Sequence, residues 1–477
     1  MICNSKFRKI SLYQLKHRLL KLAILFFMAI LTFACGSGGG TVNTDVISLS
    51  QLHWAKSYGG SSDDGSFFSV VQQTTDGGYI MAGDTTSFGA GSSDILVIKI
   101  DATGSITWQK TYGGGLFDGV SFMQQTNDGG YIVAGNTVSF GLASMNNIWV
   151  LKLNPVGSII WQKAYGAAGF DVSSYIQQTN DDGYIVSGLT NSSGAGSNDY
   201  LLIKLDSLGS ISWQKTYGGA DSDQAASIQQ TNDSGYIVSG LTNSFGVGNS
   251  DIWILKLNSN GSSMWQKTIG GVGSDWASYI SQTRDNGYIV AGGTESFGSG
   301  NSDFWVLKLT PTGTIQWQKT YGNSGNESAS YIQQTSDTGF IVTGSTGSFG
   351  AGKDDFWVLK LNTIGNIIWQ KTYGGIENDN SYYIQQTSDG GYVVSGNTLS
   401  FGEGLSDLWI LRLKSDGTIS TTAQPGIGAD TSAITLNLLA GGAFSTFVAS
   451  SDSSVVETVT SISGADADAS VQTQASD

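Results

Sequence analysis

Cysteine is almost missing from this 477-residue chain: Cys3 and Cys35 are the whole complement. The body beyond them has no thiol for a disulfide, a thiolate metal site or a cysteine nucleophile. Histidine is as scarce. His17 lies near the N-terminus and His53 stands alone beyond it, so no pair of imidazoles can form, and His53 reads as an ordinary edge-strand residue. Proline occurs only three times, which suits long uninterrupted ladders of strands. Charged residues make up 13% of the chain, and the basic ones are the scarcer kind. Six of the 23 Lys and Arg (Lys6, Arg8, Lys9, Lys16, Arg18, Lys21) fall in the N-terminal leader, leaving 17 against 38 acids, a net charge of −21. A surface of that sign repels phosphate backbones and no basic cluster overrides it, so nucleic acid is not an expected partner. The Gly-rich phosphate loop, HExxH and GxSxG are missing too.

What the chain has in quantity is glycine, 66 residues, together with 11% Trp, Tyr and Phe. That composition fits many short strands joined by Gly turns, with enough apolar material for a core. The N-terminus is different: a basic stretch is followed by LAILFFMAILTFA (22–34) and then Cys35. The apolar run is too short to cross a bilayer as a helix and has the layout of a secretory signal peptide. LTFAC followed by GSGGG resembles a bacterial lipobox, which implies removal of residues 1–34 and acylation of Cys35. Residues 35–51 would then form a flexible tether to a membrane. The competing reading is an ordinary signal peptide cut near Ala34, with Cys35 incidental.

The body repeats. Trp54, Trp108, Trp161, Trp213, Trp265, Trp317 and Trp369 are each followed by Lys two residues later and Gly five residues later, usually within YGG. A QT-x-D-x-GY-like segment follows each copy. Every copy holds four strand candidates: a Trp strand with period-two alternation such as TIQWQKTY (314–321), a QQT strand, a YIVAG strand after a Gly-containing turn, and an apolar strand such as FWVLKL (304–309). One such meander cannot bury both faces alone. Seven packed radially make a closed seven-bladed β-propeller, an all-β fold spanning 52–417. Tight links belong inside a blade, which places the QQT strand innermost and the Trp strand outermost. The first Trp strand then has no blade of its own and should complete the last one, clasping the ring. Residues 418–477, rich in Ser, Thr, Ala and Asp, are expected to be a mostly disordered extension, with 434–448 apolar enough to order.

Segments such as DIWILKLNSNGSSMWQKTIGG (251–271) resemble the bacterial β-propeller repeat family of secreted and lipid-anchored proteins. They are more distantly similar to the Trp-containing blades of quinoprotein dehydrogenases. The first resemblance implies an envelope propeller. The second would imply a quinone cofactor, for which the His, Cys and Ca²⁺-site motifs are missing here.

Residues required seven times read as structural. Twelve of the 13 Trp are repeat residues or lie in the apolar strand, and packing between blades accounts for them. Removing one, as in Trp213→Ala, is expected to cost roughly 3–5 kcal/mol. Trp276 falls outside the pattern, in a long connection, where it could grip a ligand or pack a loop. Ten residues after each repeat Trp stands an acid: Asp64, Asp118, Asp171, Asp223, Asp275, Glu327 and Asp379. These could ring the channel mouth as a site for a polar ligand or for a hard cation such as Ca²⁺. Alternatively each caps backbone N–H groups in its own turn. A second series, Asp94, Asp199, Asp251, Asp303, Asp355 and Asp407, broken by Asn147, reads as turn caps. No cofactor is expected. The function expected is that of a monomeric, membrane-anchored binding or scaffold module with a protein or glycan ligand. A glycan-active hydrolase or lyase using face carboxylates and a purely structural envelope component are the alternatives.

Overall fold

The computed structural model describes residues 53–141 and 145–419, with two short strands further on at 463–466 and 471–473; all lie in one compact unit, Ser48–Asp477. The leader, Cys35, the tether and the 434–448 segment lie outside the described residues.

The architecture is a seven-bladed propeller of four-stranded antiparallel blades, with no helix among the described residues. β1 (Ala55–Tyr58) comes first in the chain. The first blade then runs outward from the axis as β2 (Asp64–Gln73), β3 (Tyr79–Thr85), β4 (Asp94–Ile100) and β5 (Ile106–Tyr112). The other blades repeat this order. The last is completed by β1, which pairs with Asp407–Leu413 in the register Ala55↔Leu411 to Tyr58↔Leu408. The clasp closes as the strand phase requires.

Each strand's burial follows its composition. β3, β4 and their counterparts in the other blades are almost wholly buried, which suits their apolar runs between two flanking blades. The outer strands are more open, exposed or partly exposed along most of their length and buried only towards the loop face, and their partly buried Trp residues lie at the rim. Ser463–Asp466 pairs with the outer edge of the second blade and Val471–Thr473 with that of the first, covering two otherwise open edges.

The ring has two unlike faces. The hairpin turns after β2 and after β4 are tight and lie on one face. The longer connections 86–93 and 113–117, with their counterparts, form the other, the loop face.

Candidate functional site

The first acid series starts the inner strands on the loop face, and every member is fully buried. Asp64 shows why: its carboxylate accepts from Gly60 N–H (2.6 Å), Ser87 Oγ (2.7 Å) and the Thr85 hydroxyl, all around its own loop. Asp118, Asp223 and Asp379 repeat this set of donors, as in Gly219 N–H and Ser244 Oγ, both 2.8 Å from Asp223. Asp171 takes Ala167 N–H and Ser192 Oγ, and Asp275 takes Gly271 N–H and Ser296 Oγ. Glu327 reaches the same partners with its longer arm: Asn323 N–H, Thr346 Oγ1 and Ser348 N–H. This is turn capping. Among the described residues, no three His, Cys, Asp or Glu side chains gather into a group that could hold a metal.

The second series caps the other loop, with Asp94 Oδ2 accepting from Ala90 and Gly91 N–H and Asp199 Oδ2 from Ala195 and Gly196 N–H. Each of these residues also faces the first-series acid of the next blade across the YGG glycine. A Cβ on Gly113 would overlap Asp94 and crowd Asp118; Gly218 stands likewise between Asp199 and Asp223, and Gly374 between Asp355 and Asp379. Those glycines are required because two carboxyl groups fill the space a side chain would need. Oδ1 of Asp94, Asp199, Asp251, Asp355 and Asp407 has no hydrogen-bond partner. Burial, reinforced by the neighbouring acid's charge, pushes the Asp251 and Asp355 carboxyls up to about 6 and Asp407 to about 7. In the second blade Asn147 takes the place and faces Asp171 across Gly166, so that junction holds one buried carboxyl instead of two.

The repeated basic and amide residues are also engaged. The third-strand Lys of each blade bonds the Asp of its own hairpin turn, as in Lys152–Asp128 (2.8 Å), and Arg412–Asp389 is the version in the last blade. Burial would raise Asp128, but the bonds from Lys152, Thr126 and Gly130 N–H outweigh it and hold the carboxyl at about 2. The QQ pair ties blades together: Gln125 N–H donates to Gln72 Oε1 (3.1 Å), while Gln125 Oε1 accepts from Thr75 N–H (3.1 Å). Across the closure, Gln73 N–H donates to Gln385 Oε1 (2.8 Å). Blade-to-blade packing accounts for the repeat Trp, each ring standing edge-on to an aromatic of the following blade, as Trp213 does to Tyr236 (5.8 Å).

What remains are residues that differ between blades. Halfway along the inner strands Phe122, Tyr175, Tyr279, Tyr331 and Tyr383 meet across the axis. Phe122 stacks on Tyr175 at 3.9 Å, and Tyr331 donates to the Tyr279 hydroxyl at 3.0 Å. Tyr175 reaches Tyr279 past the small Ser227 of the blade between them, and Phe122 reaches Tyr383 past Val70. Burial holds these phenols neutral, raising Tyr383 to about 12. The rings plug the channel, so its mouth on the loop face has a floor.

Trp276 is at that mouth. It is the second residue of the inner strand Asp275–Gln282, a strand position rather than the connection expected from sequence, because the strand begins at its capping acid. Its ring lies against Gly293, the only glycine at a position held elsewhere by Asp84, Asn136, Leu189, Leu241, Ser345 and Asn397. On the first blade, two extra residues lengthen β2 and break its ladder between Asp64 and Ser69, whereas other blades shift by a single residue. The bulge carries Phe68 against Tyr382 (5.6 Å) and Ser66 onto Asp84 (3.1 Å). Asp84, buried and present in one blade only, adds its charge to burial in raising Tyr382 to about 12. None of these was singled out from sequence except Trp276. A column-by-column comparison of the seven copies would have found them, since the two-residue insertion within GSFF (65–68) and Asp84 are departures from the repeat.

No protein-family model matches the chain, and no curated protein matches it in sequence. Among solved structures it is similar to a glucose dehydrogenase (8% identity, TM-score 0.36, covering 75% of this chain and 98% of that one). It is also similar to BBS1N, solved in complex with ARL6DN (12%, TM-score 0.38, 74% and 97%), and to the S. cerevisiae core factor (10%, TM-score 0.42, 81% and 62%). At these identities the likeness concerns the course of the chain and carries nothing about activity.

Proposed function

We propose that the protein is a lipid-anchored binding or scaffold module of a bacterial envelope, held through Cys35 and engaging its ligand on the loop face. One observation carries the binding reading. The residues that repeat are consumed by blade architecture, whereas Trp276, Asp84, Phe68 and Tyr382, each found in one blade only, gather at the loop-face end of the inner strands. The chain enters the ring at Trp54, whose backbone pairs with Arg412 beside the tight-turn face, so a tether reaching it need not cross the loop face. The anchor reading rests on the lipobox resemblance and on the Gly- and Ser-containing run after Cys35.

The hydrolase reading needs a carboxyl pair open to substrate. The inter-blade acid pairs are buried and capped, which weighs against it.

Two measurements test the proposal. Metabolic labelling with a palmitate analogue should mark the chain and should fail for Cys35→Ala. Labelling that survives this change removes the anchor. A thermal-shift screen against divalent ions and glycans should raise the midpoint for a ligand of the mouth. That shift should vanish in Trp276→Ala and persist in Asp223→Asn; the reverse pattern would assign ligand binding to the acid ring.

A further inference from the structure

Among the described residues, six large apolar side chains stand exposed along one arc of the loop face, Ile376, Leu399 and Leu405 on one side of the clasp and Leu116, Met145 and Phe170 beyond the connections 59–63 and 86–93, from 42% exposed at Leu399 to 75% at Ile376. They follow the ring from the junction of the sixth and seventh blades, past the clasp, to the junction of the second and third. Backbone bonds bind neighbouring loops into one surface. Leu399 N–H donates to Asn378 O (3.0 Å), Ser92 N–H to Leu116 O (3.2 Å) and Asp171 N–H to Asn146 O (3.0 Å), while Gly404 abuts the backbone of Gly60 to Ser62. Elsewhere on this face the corresponding loops are mainly Gly, Ser, Asn and Asp, and Val247 with Val272 forms a separate exposed pair.

The same arc is acidic. Asp63, Glu377 and Glu403 lie on it, and among the described residues the base beside it, Lys353, is held by Glu377 at 2.6 Å. The third-strand bases point at the opposite face, where they bond the hairpin acids. An apolar crescent rimmed by one sign of charge is a docking surface, and its sign selects the partner. A second copy would bring the same acids against these, so self-association is opposed.

We infer that this crescent docks a protein segment that combines Lys or Arg with large apolar side chains. The inference rests on the binding reading above and names its partner class. Apolar anchors would fill the spaces between Ile376, Leu399 and Leu405, and the basic groups would meet Glu377, Glu403 and Asp63.

The test uses the mature full-length chain in phosphatidylcholine nanodiscs, with empty discs as the blank, and three labelled peptides followed by anisotropy: alternating Lys and Leu, alternating Lys and Ser, and alternating Glu and Leu. The Lys–Leu peptide is expected to bind, and both others to bind at least about tenfold more weakly. Paired Ile376→Ser and Leu405→Ser should weaken the Lys–Leu peptide by about tenfold, as should paired Glu377→Gln and Glu403→Gln, whereas Val272→Ser should leave it unchanged. Equal binding of the Lys–Ser peptide, equal loss with Val272→Ser, or no binding at all overturns the inference. A dimer on size exclusion, abolished by the Ile376 and Leu405 changes, would assign the crescent to self-association instead. A ligand found by thermal shift while the Lys–Leu peptide fails would remove this inference and leave the binding reading standing.

Discussion

Thr338 holds a left-handed backbone conformation (φ 70°) that a β-branched residue rarely adopts. Its counterparts in the hairpins of the first, second and last blades are Gly77, Gly129 and Gly390, while Asp182, Ser234 and Asn286 take the same conformation. Thr338→Gly is therefore expected to stabilise the protein by about 0.5–1 kcal/mol in urea unfolding, and Asn286→Gly by less, because Asn tolerates this region. A loss with Thr338→Gly would mean that the threonine side chain gives more than its backbone costs. The acid pairs lead to a pH prediction. Burial, reinforced by the charges of Asp379 and Asp354, pushes the Asp355 carboxyl up to about 6 despite the bond it accepts from Ala351 N–H. The folded state holds that proton more tightly than the unfolded chain does. Its contribution is thus complete below about pH 4 and is lost as the pH rises through 6. The hairpin acids Asp128 and Asp233, held at about 2, act oppositely and weaken the fold only as the pH falls towards 2. Unfolding free energy should decline between about pH 4 and pH 7, the span from the ordinary carboxylate value to the raised values of Asp251, Asp355 and Asp407. In Asp355→Asn the decline should shrink by at most about 3 kcal/mol. An unchanged slope would show that the folded state does not hold the Asp355 proton more tightly than the unfolded chain does.

Between strands, the repeat motif is a set of ties to the next blade. Tyr112 donates to Gly157 O at 2.5 Å in the following turn, and Trp108 covers the same glycine. Because Trp213 is only half-buried at the rim, Trp213→Ala is expected to cost about 2 kcal/mol, less than a core deletion of that size suggests from sequence. A loss of 4 kcal/mol by chemical unfolding would restore the core estimate. Much of this level was legible beforehand: the sevenfold repeat placed the four strands, and the tight links within each copy, set against the long link after the Trp strand, placed their radial order and the clasp. The acid pairs were not legible, because Asp199 and Asp223 stand on different blades and each alone looks like a turn cap. Trp276 was misplaced because its strand starts at Asp275, a residue type depleted from strands, and that start is set by a bond from Asp275 N–H to Ser250 O. The candidate site was least visible, since a repeat draws notice to what recurs while Asp84, Phe68 and Tyr382 each occur once.

For the molecule as a whole, closure depends on β1. Each blade buries its faces only against its neighbours, so opening the ring exposes the first and last blades together. Deleting residues through Tyr58 is expected to abolish a single cooperative transition and produce a lower, broader one by calorimetry. Retention of one sharp transition would show that the last blade is stable with three strands. The clasp also has a mechanical side. It consists of four residue pairs and two bonds between the backbones of Trp54 and Arg412, 2.7 and 3.1 Å long, and the upstream chain joins at that end. Tension applied from upstream therefore reaches the Trp54–Arg412 pair first and peels β1 one pair at a time. Under load the ring has a fuse: β1 leaves first, and the faces of the first and last blades are then exposed together.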